Sequence, residues 1–250
     1  MYGVSKIKWI GVMSLLSYFL SLAHAENWSE LQLGLGIYRY SNIRVNNQKI
    51  FLKNDPVYEP IPTLLFRFGP LVISKDGGGI VLLYFHMLKL AGLILFEGEP
   101  YKTNGMVQRR RSFHLGGGGR FYDFEFMYYQ DIQNYSNGKV ANLYYAPEFF
   151  VGTTYNFSPR FFIQFWDKNY VDYYFGVEAT EVDLSIGRRE YTGEKAYNYG
   201  VMLQNVWDIG KTRYFISAGV KYYGASVISS PTVKLRYEQR IVAGFTYKFY

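Results

Sequence analysis

The chain contains no cysteine in 250 residues, only 3 histidines and only 8 prolines. Without thiols there is no disulfide scaffold, no thiolate metal site and no cysteine nucleophile. Charged residues are sparse at 19%, low for a soluble domain. Mean hydropathy is -0.11, too polar for a bundle of membrane helices. The formal charge of +7 is scattered and gives no nucleic-acid footprint. What is present in quantity is Tyr (26), Gly (25) and Phe (20), and aromatics at 20% are far too many for a disordered chain. The length suits one domain. Near-neutral hydropathy with many aromatics and glycines points to β-structure. One membrane architecture hides its apolarity by alternating it with polar residues, the transmembrane β-barrel.

Residues 1–25 read as a secretory signal peptide. Lys6 and Lys8 supply the positive start, Trp9 to Leu22 the apolar stretch, and Ala23-His24-Ala25 a small-x-small cleavage site before Glu26. Residues 26–250 are then the exported barrel. Export without cysteine suits the envelope of a Gram-negative bacterium, with the outer membrane as destination.

Period-2 alternation dominates this region. Leu31, Leu33, Leu35 and Ile37 alternate with Gln32, Gly34, Gly36 and Tyr38. Two further segments behave the same way: Val171 to Ala179, and Tyr214 to Tyr223. Each is about ten residues long, the length of a tilted membrane strand. Tyr38, Tyr40, Tyr144, Tyr145, Trp166 and Trp207 are expected in interfacial girdles. Asn46-Asn47, Asp76-Gly77-Gly78, Asn137-Gly138, Ser158-Pro159, Asp208-Ile209-Gly210 and Ser229-Ser230-Pro231 read as turns. Asn156 to Pro159 and Asp208 to Lys211 are expected as short periplasmic turns, and 41–58, 98–111 and 187–196 as outer loops. The expected fold is all-β, a closed antiparallel transmembrane barrel.

Gly77 to Phe96 is nearly continuous apolar sequence, long enough for a membrane helix. Lys89 and the three opening glycines favour two strands instead, with Lys89 marking the turn. At the C-terminus Ile241, Ala243, Phe245, Tyr247 and Phe249 alternate with more polar residues. Phe245, Tyr247 and Phe249 are the expected signal for the barrel-assembly machinery, with Tyr250 one residue extra.

From Tyr170 onward the sequence resembles the MltA-interacting protein (MipA)/OmpV family of outer-membrane proteins. Tyr173-Tyr174-Phe175-Gly176-Val177 resembles its YYGV-type segment, and Tyr191, Tyr197 and Trp207 follow in order. Ser230-Pro231-Thr232-Val233 and Gly244-Phe245-Thr246-Tyr247-Lys248-Phe249 resemble two further family segments, and Asp131, Ser136 and Gly138 a third. The resemblance implies a barrel of about 10–12 strands. It also implies a non-enzymatic scaffold that brings a murein transglycosylase together with a murein synthase.

Residues able to do chemistry are few. His86 and His114 remain after the signal peptide. Ser112 and His114 are expected on opposite strand faces, which would prevent a dyad. No metal cluster and no cofactor motif is visible. Gly116 to Gly119 lack the Lys-Ser/Thr of a phosphate loop and are expected to allow close backbone contact. Arg109-Arg110-Arg111 is either a solvated charge cluster or a contact for lipopolysaccharide phosphates at the outer rim. Asp172, Glu178, Lys221 and Lys248 are expected in the lumen. The alternatives to a scaffold are a narrow small-solute channel, since a barrel of this size is not a wide pore, and an outer-membrane hydrolase.

Overall fold

The structure, a computed structural model, describes residues 29–47, 56–85 and 88–249. Ala23, Ala25, Glu26 and His86 lie outside the described residues. In chain order the strands are β1 (Ser29–Tyr40), β2 (Val57–Phe68), β3 (Leu71–Ser74), β4 (Gly77–Phe85), β5 (Leu88–Glu97), β6 (Ser112–Phe121) and β7 (Phe124–Asp131). They continue with β8 (Lys139–Tyr145), β9 (Phe149–Val151), β10 (Tyr155–Trp166), β11 (Ala196–Ile209), β12 (Thr212–Tyr222) and β13 (Tyr237–Lys248). Two short helices interrupt the series, α1 (Lys168–Phe175) and α2 (Ala225–Ile228).

All pairings are antiparallel, and the sheet closes through β10–β11 and β13–β1. β8 and β9 both lie against β10, β8 on Phe161–Trp166 and β9 on Tyr155–Phe157. They form one interrupted strand, so the closed ring has twelve. Closure is what lipid demands, because no water is present there to satisfy an open edge. Among the described residues no helix is long and apolar enough to cross a membrane.

The alternation sorts the side chains. In β1 Leu33, Leu35 and Ile37 face out, Leu35 at 61% exposure, while Gln32, Tyr38 and Tyr40 are buried inside. β12 and β13 follow the same rule, with Phe245 and Tyr247 outward. Gly77–Phe96 is indeed two strands. Lys89 does not mark their turn: it is the second residue of β5 and is buried on the inner face.

Other expectations need correction. Tyr38, Tyr40, Tyr144 and Trp166 are not girdle residues, because they share the inward parity of their strands; Tyr145 and Trp207 do point out. Asn156 to Pro159 is not a turn but lies inside β10. The turn falls earlier, at residues 152–154, where Gly152 adopts a left-handed φ of 65°. Val171 to Ala179 is not a strand but α1 and the chain after it. Aromatic residues at every second position satisfied a strand period. The same run also puts Tyr170, Val171, Tyr174 and Phe175 on one helical face, and the Asp167 carboxylate caps that helix by accepting the Tyr170 N–H at 2.9 Å.

The strand prolines follow a rule of their own. Pro159 stands between the β8 and β9 segments, where among the described residues β10 has no ladder partner on that side. Pro60 and Pro62 lie in β2 beyond the point where β3 pairs with it. Proline has no N–H to give, so it belongs where a ladder is missing. The double substitution Pro60→Ala/Pro62→Ala is expected to shift unfolding by no more than about 0.5 kcal/mol. Ile241→Pro, in a strand paired on both sides, should cost about 1–3 kcal/mol. Urea titration read by the heat-dependent gel shift of the barrel compares the two.

Candidate functional site

The ends of the barrel differ. One carries short turns at 69–70, 122–123, 152–154 and 210–211; the other carries the long segments 98–111, 167–195 and 223–236. The expected loop 187–196 is only the tail of the 167–195 segment. That segment does not stand away from the barrel but folds back into its mouth.

The mouth is filled by an aromatic core. Trp166, at 0% exposure, ends β10 facing inward, stacks on Phe175 (5.7 Å between ring centroids) and packs at a tilt against Tyr170 (4.8 Å) and Tyr223 (6.0 Å). Tyr170, Val171, Tyr174 and Phe175 of α1 are buried in one cluster with Leu93 and Leu95 of β5, Met127 and Tyr129 of β7, and Val140 and Tyr144 of β8. The inner residues that α1 covers are therefore apolar, while the same strands also turn Lys89, Glu97, Glu125 and Asn142 inward. Gly138 permits the approach, since a Cβ there would meet the Tyr170 backbone at 2.7 Å. Asp131 shapes the loop leading to it, accepting the N–H groups of Gln133 (2.8 Å), Ser136 (2.6 Å) and Asn137 (3.1 Å).

Polar contacts lace this core to the other loops. The Arg44 guanidinium lies 3.8 Å from the centre of the Phe175 ring. It donates to the Tyr174 carbonyl and the Thr232 hydroxyl, each at 2.8 Å. Burial pushes its pKa down to about 10, which leaves it charged at neutral pH. The Ser230 hydroxyl donates to the Phe175 carbonyl at 2.6 Å. Arg109 and Glu181 form a buried ion pair at 2.6 Å. Glu181 also accepts the Val107 N–H, and Arg188 donates to the Glu181 and Asn104 carbonyls. Beneath the core Lys221 sits 4.2 Å from the centre of the Trp166 ring system and 3.6 Å from Glu99.

The arginine triplet is split by this packing. Arg109 is committed to Glu181, Arg111 turns into the interior, and Arg110 is exposed. Lys221 and Lys248 face the lumen, Lys248 lying 3.6 Å from Glu30. Asp172 and Glu178 belong instead to the mouth loop, beside Asn169, Tyr173, Glu190 and Tyr191 in a polar basin of about 510 Å³.

Ser112 and His114 share the inner face of β6, both fully buried, contrary to the opposite-face expectation. They are two residues apart, and a period of two returns a side chain to the same side. Even so, His114 Nδ1 approaches the Ser112 carbonyl oxygen at 3.2 Å, and its ring packs edge-on against Tyr129. The β6 glycines do allow close contact: a Cβ on Gly116 would stand 2.0 Å from the Tyr128 carbonyl oxygen.

Three of the segments carrying the family resemblance meet at this mouth, while Trp207 and Gly244–Phe249 lie towards the short-turn end. Tyr173 to Val177 end α1, Ser230 and Thr232 bind the Phe175 carbonyl and Arg44, and Asp131, Ser136 and Gly138 frame the helix. The model of the family described as MltA-interacting protein MipA matches residues 26–249. The chain belongs to the MipA family. A curated relative, the 24 kDa outer membrane protein of Pasteurella multocida, is 23% identical over 83% of this chain and 88% of its own. Among solved structures, OmpT of Vibrio cholerae is 9% identical over 90% of this chain and 99% of its own, with a TM-score of 0.37. Acinetobacter baumannii OccAB1 is 7% identical over 91% and 99%, with a TM-score of 0.32. This MipA-family chain is an outer-membrane barrel.

Arg44, Glu181 and Arg188 did not stand out in the sequence, because nothing local marks their long-range partners. Trp166→Ala is expected to cost about 3–5 kcal/mol, and Glu181→Gln about as much, since Arg109 would be left without its buried counter-charge. Limited proteolysis should then cut within 167–195 faster than in the parent, with barrel migration retained.

Proposed function

We propose that this chain is a non-catalytic outer-membrane scaffold that binds enzymes of murein synthesis and turnover, a murein transglycosylase and a murein synthase. The observation that carries the reading is the filled mouth, where aromatic packing and a buried ion pair occupy the space that a wide pore would leave open. The family description, MltA-interacting protein, supplies the class of partner.

Periplasmic partners meet the short-turn end, which faces inward in barrels of this type. That rim carries exposed Phe121, Tyr122, Phe124, Phe149 and Phe150. Tyr122 is held at φ 54°, a left-handed conformation that is a genuine outlier for a bulky residue. Strain of this kind clusters at sites of function. Catalysis has no part in the reading, since His114 is turned to a backbone carbonyl and packed among aromatics.

The same reading includes export by cleavage between Ala25 and Glu26. Phe245, Tyr247 and Phe249 serve recognition by the assembly machinery, and Arg110, the exposed arginine of its triplet, contacts lipopolysaccharide phosphate.

Affinity capture from detergent-solubilised envelopes tests the scaffold. Murein transglycosylase should be recovered with the parent chain and fall at least several-fold with Tyr122→Ser/Phe150→Ser. Recovery of no murein enzyme above background would overturn it.

A further inference from the structure

The wall of the barrel is not evenly closed. β2 pairs with β1 along its whole length, Val57–Phe68 against Tyr40–Ser29. On its other side β3 pairs only with Leu65–Phe68. The chain then reverses at Lys75-Asp76, part-way up the wall, and β4 descends against β5. Among the described strands none continues the ladder beside Val57–Leu64. At 3.3 Å per residue this stretch is roughly 26 Å long.

The prolines show that the interruption is encoded. In an antiparallel ladder, N–H groups alternate between the two neighbours of a strand. The β1 ladder is uninterrupted, so the missing N–H groups of Pro60 and Pro62 fall on the side away from β1, where no described strand follows. A proline on that side blunts an edge.

The interruption also stands at the level of lipid. Pro60, Pro62 and Leu64 are level with Ile37, Leu35 and Leu33, which form the exposed apolar band of β1. Behind it lies an internal cavity that includes Leu64 and Lys75, one on each flank of the gap. Its deeper wall is apolar, with Ile61, Val206, Phe215 and Val242, relieved by uncharged polar groups such as Gln204 and Ser217. The charged members are already matched: Lys75 lies 2.5 Å from Asp76, and Arg213 2.5 Å from Asp208. At about 60 Å³ the cavity has room for the last few methylenes of an apolar chain, and its matched charges leave no site for a free ion.

We propose that the gap between β2 and the β3–β4 hairpin is a lateral entrance through which the end of an alkyl chain reaches from the membrane into this cavity. The chain belongs either to a membrane phospholipid or to a free single-chain amphiphile. The site is separate from the filled mouth and from the short-turn rim.

The absence of cysteine makes the test direct. A nitroxide is attached to Ser217→Cys, in the cavity, and to Met127→Cys, on the inner wall beneath α1. Both proteins are placed in phospholipid vesicles, and collisions with oxygen and with a water-soluble nickel chelate are measured by power saturation. The label at 217 should be reached by oxygen several-fold more than by the chelate, and the label at 127 by neither. A label at 217 already immobilised in phospholipid alone identifies a membrane lipid chain as occupant; immobilisation only on adding dodecanoate identifies a free amphiphile. Preferential collision with the chelate, equal behaviour of the two labels, or no immobilisation in either vesicle would overturn the proposal. Should Ser217→Cys not give a heat-modifiable barrel, Gln204→Cys on β11 lines the same cavity and takes its place.

Discussion

Backbone hydrogen bonding in a medium without water is the constraint on which everything else in this molecule rests. A strand in lipid has nowhere to put its N–H and C=O groups except on neighbouring strands. The antiparallel ring closed through β10–β11 and β13–β1 meets that demand along most of the wall, and beside Val57–Leu64 two prolines reduce the number of N–H groups left facing no described strand. Alternation follows, since a strand with lipid on one side and a lumen on the other must change polarity at each residue. The composition follows in turn: two faces of opposite character average to a mean hydropathy near zero. Where the ladder is broken, the chain places proline, at Pro60, Pro62 and Pro159.

A twelve-stranded ring leaves a lumen that a packed core can fill, and the 167–195 segment supplies that core at the long-loop end. The helix α1 sits there because Asp167 caps it and because Gly138 leaves room for Tyr170. Its aromatic face covers the apolar inner residues of β5, β7 and β8, and Arg44 and the Arg109–Glu181 pair hold the loops over it. Buried charge pairs of this kind add little by their presence but are costly to break. They fix the arrangement of the mouth more than they add to its stability.

The strands were legible in the sequence because period 2 is a local signal. Leu31–Ile37, Tyr214–Tyr222 and Ile241–Phe249 each carry it without help from distant residues. The helix was not legible, because Tyr and Phe are so frequent that Tyr170–Phe175 satisfies both the strand and the helical period; the capping Asp167 was the discriminating sign. The inner or outer fate of Tyr38 and Trp166 was readable from parity with neighbouring residues, and parity, not aromatic character, decided it. Ion pairs such as Arg109–Glu181, which join residues 72 positions apart, leave no local pattern at all. The family segments were recognisable as short strings, but the common place of three of them, 131–138, 173–177 and 230–233, appears only in three dimensions, where they meet around α1.

The filled mouth is the central claim, and ion conductance in planar bilayers tests it most directly. The parent chain should give no stable conducting steps, and removal of the mouth segment between residues 168 and 194 should produce them. Steady conducting steps in the parent that this deletion leaves unchanged would contradict the account.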